Sequence, residues 1–149
     1  MKTKIACIII AAILLAFIWG NSMLPRAQSS DLSVWAMGIL NKIFSADVTA
    51  EGSVEGAGAL RKIAHFAEFC ALGAVLSILF WQIIKDKRIM TLSLALSGVF
   101  VALFDETIQI FSGRGPLVSD VWLDISGYAV GCAIALTVVL LKTKISEKQ

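Results

Sequence analysis

A single histidine, His65, stands among the 149 residues, and that scarcity removes whole classes of chemistry. A membrane phosphatase of the phosphatidic-acid type needs one histidine as nucleophile and another as acid. A serine hydrolase is also disfavoured, because Ser112-Gly113 does not form a nucleophile elbow and no second histidine can serve as base. Cysteine is scarce too. Cys7, Cys70 and Cys132 each lie inside an apolar segment, which reads as three buried thiols and not as a disulfide or metal cluster. No basic stretch has the size or exposure of a nucleic-acid interface. No A-x-A-like cleavage site follows the first apolar run, so the Met1-Lys2-Thr3-Lys4 leader is expected to be retained as a signal-anchor.

What the chain has in abundance is apolar length. Hydrophobic residues make up 58% and the mean hydropathy is +0.83, well above the norm for a soluble domain. Four segments, 5–20, 63–84, 89–111 and 121–141, approach or exceed the roughly 20 residues that cross a bilayer. The expected fold is all-α: residues 1–149 as one polytopic membrane domain, a bundle of four transmembrane helices with a long first outer loop over 21–60. In that loop Leu32, Trp35, Ile39 and Ile43 recur at helical spacing behind Ser29, Ser30 and Asp31, predicting an amphipathic helix over 31–44. It either lies in the outer interface or packs over the bundle. Residues 45–59 turn to Gly, Ala, Ser and acids and read as a flexible tether.

Lys2, Lys4, Lys85, Lys87, Arg88, Lys142, Lys144 and Lys148 flank the spans on one side, opposed only by Asp86 and Glu147. The positive-inside rule makes that side cytoplasmic, so both termini are expected in the cytoplasm of a bacterial cell, with the protein in its cytoplasmic membrane.

The buried charges gather near the other side. At 100° per residue, Arg61, His65 and Glu68 fall within about 60° of one another, with Lys62 off that stripe. Thr91, Gly98, Ala102, Asp105 and Gln109 share a face of the third span, and Glu106 lies about 100° from Asp105. Asp120, Asp124, Gly127 and Gly131 share a face of the fourth. At 1.5 Å per residue, Glu68, Asp105 and Asp124 all lie within roughly 10 Å of the outer ends of their helices. Gly127 and Gly131 form a small-xxx-small pattern that lets backbones approach closely, turning the aspartates toward neighbouring helices.

Ionisable groups within a membrane are expensive enough to mark a functional site by default. Structural ion pairing is the competing explanation, since Arg61, Lys62, Arg114 and a protonated His65 nearly balance Glu68, Asp105, Glu106, Asp120 and Asp124. Holding a bundle together, however, needs one or two polar pairs and not nine ionisable groups.

The segment Arg61-Lys62-Ile63-Ala64-His65-Phe66-Ala67-Glu68-Phe69, followed by Leu72-Gly73, resembles the R-K-x-x-H-x-x-E-[FY] signature of the VanZ-like membrane proteins. Asp105-Glu106-Thr107-Ile108-Gln109-Ile110-Phe111 is similar to that family's D-E-x-x-Q-x-F. Gly113-Arg114 and Asp120 through Gly127 are similar to its G-R-x-x-x-x-x-D-[VI]-x-x-[ND]-x-x-G, although the family often has Asn where this chain has Asp124. The resemblance implies a relation to glycopeptide resistance, whose founding member gives low-level protection against the lipoglycopeptide teicoplanin without remodelling the peptidoglycan precursor. It supplies no mechanism.

Two mechanistic classes stay open. In the first, Arg61, Lys62 and Arg114 engage the anionic or glycosylated head group of a membrane lipid or a lipid-anchored amphiphile, such as a lipoglycopeptide. His65, Glu68, Asp105, Glu106, Gln109, Asp120 and Asp124 complete the polar site, the carboxylates positioning the cations. In the second, Glu68 or Asp105 is a general base or metal ligand and His65 an acid, in hydrolysis or transfer on a lipid-linked substrate. The donor set could hold a divalent cation such as Mg²⁺ or Mn²⁺, although its spacing matches no established metal motif. A proton-coupled transporter fits less well, because the cytoplasmic half of the spans is apolar apart from Ser and Thr.

Overall fold

The computed structural model describes residues 2–25, 28, 54–113 and 117–146. Four helices account for nearly all of them: α1 (Lys2–Met23), α2 (Val54–Ile83), α3 (Lys87–Phe111) and α4 (Val118–Ser146). All four are long and apolar enough to cross a membrane, and no strand occurs among the described residues. The chain is therefore a multi-pass helical membrane protein. The predicted helix over 31–44 lies outside the described residues.

The spans are longer than hydropathy alone predicts. α2 and α4, with 30 and 29 residues, are each roughly 45 Å long, against a hydrocarbon core of about 30 Å. The tether expected to run to Ala59 instead becomes helical at Val54. A helix already nucleated by its apolar stretch extends at little cost through alanine, and Gly56 and Gly58 each weaken that extension by only about 1 kcal/mol. Between α2 and α3 the turn is short, and Asp86 caps α3 by accepting hydrogen bonds from the backbone N–H of Arg88 (2.7 Å) and Ile89 (3.2 Å). Beside it, Lys87 Nζ stands 3.2 Å from the centroid of the Trp81 ring.

Helices α2 and α4 form the most extensive pairing in the bundle, and glycine is the reason. A β-carbon built on Gly127 would meet the carbonyl oxygen of Phe66 at 2.5 Å; one on Gly131 would collide with the carbonyl of Cys70, and one on Gly73 with that of Tyr128. Backbones this close need glycine at the contact. Tyr128 then projects from α4 onto α3, where its ring fills the space beside Gly98 and its hydroxyl pairs with Ser97 Oγ at 2.7 Å. Phe69, Leu72, Val101, Ala102, Tyr128, Ala11 and Ile18 make up the core, with Trp19 meeting Phe104 edge to face at 4.8 Å.

Outward-facing Ile9, Ile13, Phe17, Leu92, Leu96, Phe100, Leu103 and Ile134 coat the bundle in apolar side chains. Such a coat suits lipid and not water. Cys7 is buried, Cys70 and Cys132 are half-buried, and all three are free thiols.

Candidate functional site

The polar groups collect at the end of the bundle opposite the chain termini, where α1 and α3 finish and α2 and α4 begin. His65 lies one full turn inside Arg61 on α2, Asp105 faces inward from α3, and Asp124 does so from α4. All three are buried, with relative exposures of 8%, 0% and 1%. His65 Nδ1 is 3.9 Å from Asp105 Oδ2 and 3.9 Å from Asp124 Oδ1, so the imidazole stands between two carboxylates from two other helices. One donor atom from each of the three lies within 4.8 Å of the others. Gln109, four residues after Asp105 and on the same face, donates from Nε2 to Asp105 Oδ2 at 2.8 Å and fixes that carboxylate.

Three other pairs surround this centre. Lys62 Nζ is 3.3 Å from Asp120 Oδ1; because the Lys62 side chain is 46% exposed, this pair is worth at most about 1 kcal/mol. Glu106 accepts a 2.7 Å hydrogen bond from the backbone N–H of Leu117, tying α3 to the start of α4. Glu68 faces α1, accepting from Asn21 Nδ2 at 3.3 Å. Nearby, Ser112 Oγ donates to the carbonyl of Ser22 (2.8 Å), closing the ends of α1 and α3.

Arg61, Lys62, His65, Gln109, Asp120, Leu123 and Asp124 line a cavity of about 10 Å³. That is room for one water molecule or one ion, and not for a sugar or a phosphate group.

Among the described residues, acids outnumber permanent cations at this end. Five carboxylates, Glu68, Asp105, Glu106, Asp120 and Asp124, face two permanent cations, Arg61 and Lys62, among the described residues. Asp105 Oδ1, Asp124 Oδ2, Glu68 Oε2 and Glu106 Oε2 are buried oxygens with no hydrogen-bond partner there. Burying an ionised carboxylate costs on the order of several kcal/mol unless a cation or donors compensate it. A set of this kind needs either protons or a positive group to compensate it.

Nine of the ten expected site residues lie at this end of the bundle, but not as one group. The structure separates them into a buried centre (His65, Asp105, Gln109, Asp124), a rim (Arg61, Lys62, Asp120) and two lateral links (Glu68, Glu106). Arg114 lies outside the described residues. Thr91, assigned to the Asp105 face, is exposed near the opposite end and bonds back to the Lys87 carbonyl at 2.9 Å. Asn21, Ser112 and the Leu117 amide also belong to the site. Only Asn21 carried a signal, as a polar residue closing the first apolar run.

Comparison with known proteins is consistent with these motifs. The sequence matches the family model described as VanZ/LLP1 over residues 6–141. No curated protein and no solved structure matches it.

Proposed function

The chain belongs to the VanZ/LLP1 family, and from that membership we propose that it binds the polar head of a membrane-anchored amphiphile at the end of the bundle opposite its termini. That end faces the outside of a bacterial cytoplasmic membrane. The excess of Lys and Arg around the termini and the α2–α3 turn supports this orientation.

The observation that carries this reading is the position of Arg61 and Lys62 on the cavity rim, above a buried acidic centre. Asp120 holds Lys62 in place, leaving both cations able to meet an anionic or heavily hydroxylated head group. A cavity of about 10 Å³ cannot admit such a head, so contact is made at the rim. Leu117, Val118 and Trp122, all exposed at the same end of α4, supply apolar surface at the level of the head groups.

A lipoglycopeptide such as teicoplanin is the first amphiphile to test, and low-level resistance the first phenotype. A susceptible Gram-positive host expressing wild-type protein is expected to gain protection against teicoplanin and not vancomycin. Arg61→Gln, present in the membrane at equal level, is expected to lose it. Absence of protection from well-expressed wild type, or full protection from Arg61→Gln, overturns the proposal.

One observation favours an enzyme acting on a lipid-linked substrate instead: the convergence of His65 with two carboxylates. The 3.9 Å separations exceed the about 2.6–3.2 Å of direct proton transfer, which ranks this reading second.

A further inference from the structure

We propose that His65, Asp105 and Asp124 form a binding site for one divalent transition-metal ion. Three independent observations converge on it. The first is geometric: three donors from three helices lie within 4.8 Å of one another, with the imidazole 3.9 Å from each carboxylate. A point centred among donors so spaced is roughly 2.3–2.5 Å from each, a few tenths of an ångström beyond the lengths of metal bonds to imidazole nitrogen and carboxylate oxygen. Inward shifts of a few tenths of an ångström complete the coordination.

The second observation is the state of the carboxylates. Asp105 and Asp124 are 0% and 1% exposed, yet Asp105 Oδ1 and Asp124 Oδ2 have no hydrogen-bond partner among the described residues. Two carboxylates buried in this way need either a proton or a cation between them. Of the permanent cations at hand among the described residues, Lys62 is engaged by Asp120 at the exposed rim, and Arg61 forms no ion pair with either aspartate.

The third is the surroundings. Gln109 holds Asp105 Oδ2 from outside the cluster, the orienting contact that metal-bound carboxylates receive from a second layer of residues. The cavity against His65 and Asp124 has room for a single water, which can complete the coordination shell. One nitrogen and two oxygens suit Mn²⁺ or Zn²⁺ better than Mg²⁺ or Ca²⁺, which prefer oxygen alone.

The site stands independently of the head-group reading, and its assay contains no amphiphile. The full chain, purified in mild detergent, is incubated with Mn²⁺ or Zn²⁺, desalted and analysed for metal. One equivalent of at least one of them is expected, and Mn²⁺-loaded protein is expected to show imidazole ¹⁴N coupling by pulsed electron paramagnetic resonance. Asp124→Asn and His65→Gln are expected to lose binding, Gln109→Leu to weaken it by roughly tenfold or more, and Lys62→Ala to retain it. Monodisperse wild-type protein with neither metal above background overturns the proposal, leaving a shared proton as the compensation. Bound Mn²⁺ without ¹⁴N coupling overturns it as well, and this needs no variant to fold.

Discussion

Gly127 of α4 stands so close to Phe66 of α2 that a β-carbon on it would fall 2.5 Å from the Phe66 carbonyl oxygen. One turn further on, Gly131 lies against the Cys70 carbonyl in the same way. These two contacts set the separation of α2 and α4, and with it the reach of His65 to Asp124. Replacing Gly131 by Val inserts three carbons where the neighbour is rigid backbone, so the helices must part. The expected cost is at least the about 1–3 kcal/mol of ordinary core overpacking, seen as a lowered unfolding temperature in detergent. An unchanged unfolding temperature would show that the two backbones do not meet here.

Glu106 is expected to act as a clasp on the connection between α3 and α4, through the hydrogen bond to the Leu117 amide. Glu106→Ala removes the acceptor and should raise hydrogen exchange at Leu117 and the first turn of α4. Glu106→Gln keeps a carbonyl oxygen in place and should leave exchange close to wild type. Equal exchange in both variants would mean that the clasp does not hold this turn.

Tyr128→Phe should be mild. The Tyr128 hydroxyl pairs with Ser97 Oγ at 2.7 Å, but Ser97 Oγ also donates to the Leu94 carbonyl at 2.9 Å, so the mutation leaves that serine satisfied. The expected loss is about 1 kcal/mol or less. Tyr128→Ala removes the ring packed beside Gly98 as well and should cost about 3–5 kcal/mol. Comparable unfolding temperatures for the two variants would contradict this division.

Orientation can be read by thiol labelling in a background without Cys7, Cys70 and Cys132. Gly113→Cys should react with a membrane-impermeant maleimide added to intact cells, and Lys85→Cys only after permeabilisation. The reverse pattern would place the polar end in the cytoplasm and remove the basis for an extracellular ligand.

Sequence by itself determined the number of spans and the end at which charge collects, because hydropathy and the 3.6-residue period are local properties of each segment. Asp105 with Gln109, and Asp124 with Gly127 and Gly131, could be placed on single faces for that reason. Periodicity does not say how far each helix rotates about its axis or which neighbour it meets. Tertiary packing decided those questions. The glycine contacts bring α2 and α4 together, so that His65 faces Asp124 as well as Asp105, while Glu68, one turn away, is turned toward Asn21 on α1. Exposed Lys62 found Asp120 at the rim instead of joining the buried acids. The distinction between a buried acidic centre and a cationic rim arises from helix rotation and contact distance, and so exists only in the folded bundle.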